Sequence, residues 1–312
     1  MSGVRELVGE AVAATRVHLP GRFAWFGAMS PRLPAGLDGA AVREQLVRLL
    51  SGQLYGDFYR RGRAVPAGAQ GRGSAADRRA FEAALSAANH GRGSLDPGWR
   101  VRGADGRGTM VVKNGLELTV GPDEMVSGPG AQVALRLPKE LFELSPGFYL
   151  ACADRPMDPW RSRHMVRLYW NLRADGAVPF VAAATRALNA AGAAFRLKVL
   201  HDPAAFTRCD AAVVYLARDD YPALSTLLLG LHAELAAYLS PRVPVFTATL
   251  APGLGFAEDP GTGESFGEHR CALMAEALVT AAETGAPPLE AIGKRFARAG
   301  LDLDAPHLGP AS

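Results

Sequence analysis

The chain has 312 residues, with 34 Lys and Arg against 31 Asp and Glu and a formal net charge of +3, a balance that gives no global argument for a nucleic-acid or anionic-membrane partner. A hydrophobic share of 48% and a charged share of 21% exclude a disordered or fibrous chain, and the length suffices for one large domain or two small ones. Only four of the basic residues are lysines, Lys113, Lys139, Lys198 and Lys294, against thirty arginines, so a well-placed lysine is worth pursuing.

The start of the chain carries Glu6 and Glu10 and no apolar signal core, and its most apolar run, Leu224 to Leu239, is broken by His232 and Glu234. Both features lead us to expect a soluble, unexported, cytoplasmic protein. Cys152, Cys209 and Cys271 are isolated and odd in number; they offer neither a disulfide framework nor a zinc pair and read as small packed hydrophobes.

In chain order, Val4, Leu7, Val8 and Val12 form one helical stripe, and Val42, Leu46, Leu49 and Leu50 form another behind an Asp38 cap. The Gly/Ser-rich stretch Ala67 to Ala75 reads as a mobile linker, followed by a third helix over Ala76 to Asn89. From Gly98 the period shortens. Trp99 and Val101, Met110 to Lys113, Leu116 to Val120, Val133 to Leu137, Phe148 to Cys152 and Met165 to Leu172 read as strands, the last with Arg167, Tyr169 and Asn171 on one face.

A helix over Pro179 to Ala191, strands over Phe195 to Leu200 and Ala211 to Leu216, a helix over Tyr221 to Leu239 and a strand over Val243 to Leu250 follow. Helices over His269 to Thr284 and Leu289 to Ala299 close the pattern. The expected class is α+β: a helical N-terminal region over residues 1–95, a mixed β-sheet catalytic region flanked by helices over 96–303, and a flexible tail over 304–312.

Several motifs fail on context. Gly263-Glu-Ser265-Phe-Gly267 has the nucleophile-elbow spacing, but a turn-rich loop precedes it where a strand is required. Gly253-Leu-Gly255 lacks the third glycine of a dinucleotide fingerprint, and the seven histidines include no metal-binding pair. No metal or cofactor is expected. What survives is Lys198, in Phe195-Arg-Leu-Lys-Val-Leu200, where a lysine inside a strand beside an apolar face is poorly solvated as an ammonium, as a lysine base requires. A solvent-facing strand lysine is the plain alternative. Arg167 and Arg208 flank it in sequence, and Arg270, at a helix start, adds a third guanidinium.

Four segments, FYLA, VRLYWNL, FRLKVL with RCDAAVVYL, and TLAPGLGFAEDPGTGESFGEHRC, make residues from about 148 to 275 resemble the HopA family of bacterial type III effectors. Similar domains occur in gene clusters for thioamitide and class V lanthipeptide biosynthesis. That resemblance implies a lyase that eliminates phosphate from phosphoserine or phosphothreonine of a ribosomally made precursor peptide after a separate kinase has acted. It is remotely similar also to phosphothreonine lyase effectors, which carry a strand lysine base, an arginine on the following segment, a tyrosine beyond it and an earlier Lys-x-His pair. Lys198, Arg208 and Tyr215 match the first three, and the pair falls on Arg167-x-Tyr169, so that the histidine acid is missing.

The resemblance thus implies Lys198 as base and Arg167, Arg208 and Arg270 as phosphate ligands. Tyr169 is the first substitute acid, with His201 and His269 as rivals, and Asn171, Asp210 and Tyr215 are candidate supporting residues beside His269. Activity is expected to rise from neutral to alkaline pH. Two other readings stand beside it, a non-catalytic HopA-like binding module and a hydrolase using Ser265. No nucleic-acid or membrane partner is expected.

Overall fold

A computed structural model describes residues 3–68, 71–127, 132–158 and 164–310; part of the expected linker, residues 69 and 70, and the last two residues of the expected tail lie outside the described residues. The first helix, α1 (Val4–Ala14), leads into three short strands, β1 (Thr15–His18), β2 (Arg22–Trp25) and β3 (Ala28–Met29), to which the sequence pattern assigns no element. Runs of two to four residues are too short to show a period. Helix α2 (Gly39–Asp57) starts at Asp38, whose carboxylate accepts from the Ala41 amide at 2.8 Å, as its sequence predicts. A single 3-10 turn, Tyr59–Arg61, follows, then α3 (Ala75–Ala88) with a Ser74–Asp77 capping box.

Five strands, β4 (Leu95–Asp105), β5 (Gly108–Lys113), β6 (Leu116–Val120), β7 (Met125–Ser127) and β8 (Gln132–Arg136), form a sheet of order β6-β5-β4-β8-β7 over a small core of Trp99, Val111, Val120 and Leu135. The larger sheet holds seven: β9 (Glu140–Ser145), β10 (Phe148–Cys152), β11 (Met165–Trp170), β12 (Phe195–Leu200), β13 (Ala212–Ala217), β14 (Ala248–Ala251) and β15 (Leu254–Glu258). Its order is β14-β15-β11-β13-β12-β10-β9, and each described pairing is antiparallel, where a mixed sheet was expected.

The strand expected over Val243 to Leu250 forms only from Ala248, and β15 was missed. Pro241 and Pro244 cannot donate to a ladder, and Phe246 takes a positive φ of 71°, so the chain turns before it pairs. Helices α4 (Ala177–Ala190), α5 (Tyr221–Leu235), α6 (Phe266–Thr284) and α7 (Pro288–Arg298) complete the α+β fold. Among the described residues no helix is long and apolar enough to cross a membrane.

Strand alternation sorts the seven-stranded sheet into two faces. Val166, Leu168, Trp170, Phe195, Leu197 and Val214 pack against α4 and α5, with Leu85 of α3 in the same core. On the opposite face Tyr169, Val213 and Ala257 are buried beneath a second core built from α1, α2, α6 and α7. The N-terminal helices therefore pack on both sides of the sheet: α3 on one face, α1 and α2 on the other.

Two glycines allow the Tyr59–Arg61 turn to reach this second face. Gly62, with φ 69°, passes so close to the Val243 carbonyl that a Cβ would stand 2.7 Å from its oxygen. At Gly267 a Cβ would stand 2.2 Å from the Tyr59 ring, so the ring lies directly on the first turn of α6. The segment 304–310, expected to be frayed, is tied down: the Arg270 guanidinium donates to the Pro306 and Leu308 carbonyls, each at 2.9 Å, and Asp304 pairs with Arg5. These contacts are long-range, and nothing in the Pro/Gly composition of the segment announces them.

Candidate functional site

Antiparallel register brings the sequence-predicted strand residues together. Arg167 faces Tyr215, which faces Arg196, while Tyr169 faces Val213, which faces Lys198. Lys198 is half-buried, with its Nζ 4.5 Å from the centre of the Phe148 ring and 5.6 Å from that of Tyr215. Arg208 also lies over the Phe148 ring, 5.4 Å from its centre, and Arg167 lies over Tyr215 at the same distance. Cations and rings thus alternate along one face, Arg167, Tyr215, Lys198, Phe148, Arg208, each ring offering its negative π-surface to the charges beside it. Among the described residues the Lys198 ammonium makes no hydrogen bond or ion pair.

The Arg208 fork grips Asp210 through Nε and Nη2, and burial of both partners is extensive, with 14% and 7% of the side chains exposed. Burial would push the Asp210 carboxyl up, but Arg208, then Lys198 and Arg60, hold it below the ordinary carboxylate range. Burial likewise works against the Arg208 charge, and Asp210 more than offsets it. A cleft of 570 Å³ is lined by Arg208 and Asn171 but not by Lys198, so the site is the half-open stretch of sheet face rather than that cleft.

Other candidates are placed differently. Arg167 is committed to Asp259 through Nε and Nη2, with Nη2 also 3.4 Å from the Glu264 carbonyl, so only part of its fork remains for a ligand. Tyr169 is 3% exposed beneath Phe266 and Tyr59, and burial, above all, raises its phenol well above the ordinary range. Arg270 is fully buried and spends its donors on the Pro306 and Leu308 carbonyls and on His269. These contacts remove it from the Lys198 cluster's hydrogen-bonding set. His269 contacts Arg270 at 2.6 Å, and burial, with help from Arg270 and Arg295, lowers it to about 4. His201, beyond the end of β12, faces Glu82 of α3 at 3.4 Å. Asn171 is also buried, and its amide donates to the Arg242 carbonyl, fastening the loop before β14. Ser265, the alternative nucleophile, is the N-cap of α6, its Oγ accepting from the Glu268 amide at 3.3 Å in a capping box.

Two residues missed by sequence reasoning join the cluster from the N-terminal region. The Tyr55 hydroxyl stands 3.4 Å from Arg208 Nη2, and its phenol is pushed up to about 12, chiefly by burial and then by Asp210. Arg60 rests over the Tyr55 ring at 5.3 Å, and its carbonyl accepts from the Cys209 amide at 2.7 Å, between Arg208 and Asp210. The run Leu54-Tyr-Gly-Asp-Phe-Tyr-Arg-Arg61, dense in tyrosine and arginine at a helix end, was the available signal.

The HopA1 effector protein family model matches residues 141–308, which include Lys198, Arg208, Tyr215 and Arg167 but not Tyr55 or Arg60. An effector protein of known structure from Pseudomonas syringae pv. tomato strain DC3000 superposes with a TM-score of 0.50 at 16% identity, covering 85% of this chain and 89% of that one, a likeness of fold. A second, from Pseudomonas syringae pv. syringae strain 61, gives a TM-score of 0.46 at 14% identity over 80% and 86%. No curated protein matches.

Proposed function

The chain belongs to the HopA1 effector protein family, and from that premise we propose that it is a metal-independent lyase that removes phosphate from phosphoserine or phosphothreonine of a ribosomally made precursor peptide, leaving dehydroalanine or dehydrobutyrine. The observation that carries this reading is Lys198: an ammonium with no hydrogen bond or ion pair among the described residues, set between two aromatic faces and within electrostatic reach of Asp210 and its partner Arg208.

In the proposed step the neutral Lys198 amine takes the Cα proton of the phosphorylated residue. The electron pair of that bond forms the Cα=Cβ double bond, the Cβ–O bond breaks, and phosphate leaves with its bridging oxygen. Arg208, whose Nη1 has no hydrogen bond among the described residues, receives the departing charge on a guanidinium that Asp210 already holds in place. Arg167 acts at longer range through the Tyr215 ring. Tyr215, half-buried between Lys198 and Arg167, is better exposed for proton delivery than Tyr169. A peptide kinase acting on the same precursor supplies the substrate.

The test is incubation of the whole chain with its phosphorylated precursor, or first with phosphoserine and phosphothreonine peptides, followed by mass measurement. Elimination gives a mass lower by one phosphoric acid and a product that adds thiols. Hydrolysis restores the alcohol, and an unchanged phosphopeptide that is nevertheless bound identifies a binding module; either result overturns the lyase.

A further inference from the structure

The N-terminal region does more than cover the sheet. Arg60 is half-buried, its Nε is fully buried, and that Nε has no hydrogen-bond partner among the described residues. An unsatisfied buried donor on a charged group is costly and calls for an explanation. Arg60 lies within electrostatic reach of Arg208, and burial together with that like charge works against its own. The carboxylate nearest the cluster is Asp210, already gripped by Arg208 and felt by Lys198 and Arg60 alike. Of the other acids in range, Asp57 is influenced more by Arg61 than by Arg60 and accepts from Gln53, and Glu268, whose charge reaches Tyr55, accepts from the Ser265 amide. Arg60, Arg208 and Lys198 against Asp210 leave a local excess of two positive charges, which a phosphate dianion would neutralise.

The arrangement is also held in position. The Arg60 carbonyl fixes the Cys209 amide, the guanidinium lies on the Tyr55 ring, and the Tyr55 hydroxyl meets Arg208. We propose that Arg60 is a second phosphate-binding arginine of the Lys198 site, supplied by the N-terminal region and oriented by Tyr55, so that a single phosphate dianion is held between Arg60 and Arg208. The proposal rests on the lyase reading for its substrate class, while anion binding itself can be tested separately.

Calorimetric titration of the full chain with inorganic phosphate, and with a phosphothreonine peptide beside its unphosphorylated form, is compared for the unaltered protein, Arg60→Gln, Arg60→Lys, Arg208→Gln and the exposed neighbour Arg63→Gln. Arg60→Gln is expected to weaken phosphate and phosphopeptide binding about tenfold or more, the scale of one charge-assisted hydrogen bond. Arg60→Lys, which keeps the charge without the fork and also guards against a folding failure of the glutamine variant, should fall between, and Arg63→Gln should match the unaltered protein. Full affinity in Arg60→Gln and Arg60→Lys alongside weakened binding in Arg208→Gln overturns the role of Arg60 and leaves the lyase standing. Absence of any phosphate-dependent binding by the unaltered protein overturns both.

Discussion

Where the seven-stranded sheet meets α4 and α5, its strand residues are apolar and sealed by helix; on the reverse, the same strands present Arg167, buried against Asp259, and Lys198 and Tyr215, which the helices leave half-covered. The backbone is shared, so what distinguishes the faces is how completely each is roofed. A sealed apolar face gains stability from transfer out of water and close packing. The half-open face keeps charges partly desolvated, which costs stability and makes each charge act more strongly on whatever binds there.

That contrast can be broken from either side. The largest effect is expected at Lys198: Lys198→Met should lower elimination by a factor of about 10² to 10⁴ or more, while its unfolding midpoint in urea moves little, because no hydrogen bond or ion pair is lost. On the sealed face, Trp170→Ala should cost about 3 to 5 kcal/mol in the same urea titration, the scale of a buried aromatic removed, and leave any folded fraction with its phosphate affinity. Between these lies Asp210→Asn, which strips a buried guanidinium of its carboxylate and should cost about 3 kcal/mol, together with weaker phosphate discrimination; equal affinity for phosphorylated and unphosphorylated peptide in the unaltered protein would leave this variant nothing to change and sink the role given to Arg208.

A smaller effect should appear in acid. Because His269 is lowered from 6.5 to about 4 in the folded chain, the unfolded chain binds its proton first as the pH falls. Stability is therefore full above about pH 6.5 and declines as the pH drops toward 4. His269→Gln should flatten that part of a stability-against-pH curve without altering turnover at neutral pH, where the native imidazole is uncharged. Loss of turnover in this variant would return His269 to the list of acids.

The sequence disclosed those parts of the fold that repeat within a single element. Strand β12 appears with the bounds its alternation predicts, and β11 separates Val166, Leu168 and Trp170 from Arg167 and Tyr169 as expected. Position along an antiparallel sheet then brings Lys198, Tyr215 and the Arg208 loop to one face. Periodicity says which side of a strand a residue takes but not what lies above it, so Tyr169 and Arg167 shared a face in the sequence, yet the structure buries the first beneath Phe266 and engages the second with Asp259. Arg270 looked like a ligand because it lies near the start of a helix; its carbonyl acceptors are thirty-six and thirty-eight residues away, a separation that no local pattern encodes. Tyr55 and Arg60 are farther still from Arg208 in the chain, and only the passage of Gly62 beneath Val243 brings them there.

The grip of Arg270 on the Pro306 and Leu308 carbonyls has a consequence for the timing of folding. During synthesis α6 is complete some twenty residues before those carbonyls exist. Until residue 308 has left the ribosome, burying the start of α6 would strand a guanidinium without its acceptors. The sealed face, whose strands and helices all precede α6 in the chain, can assemble first, while the half-open face must wait until residues 306 to 308 have emerged to close it.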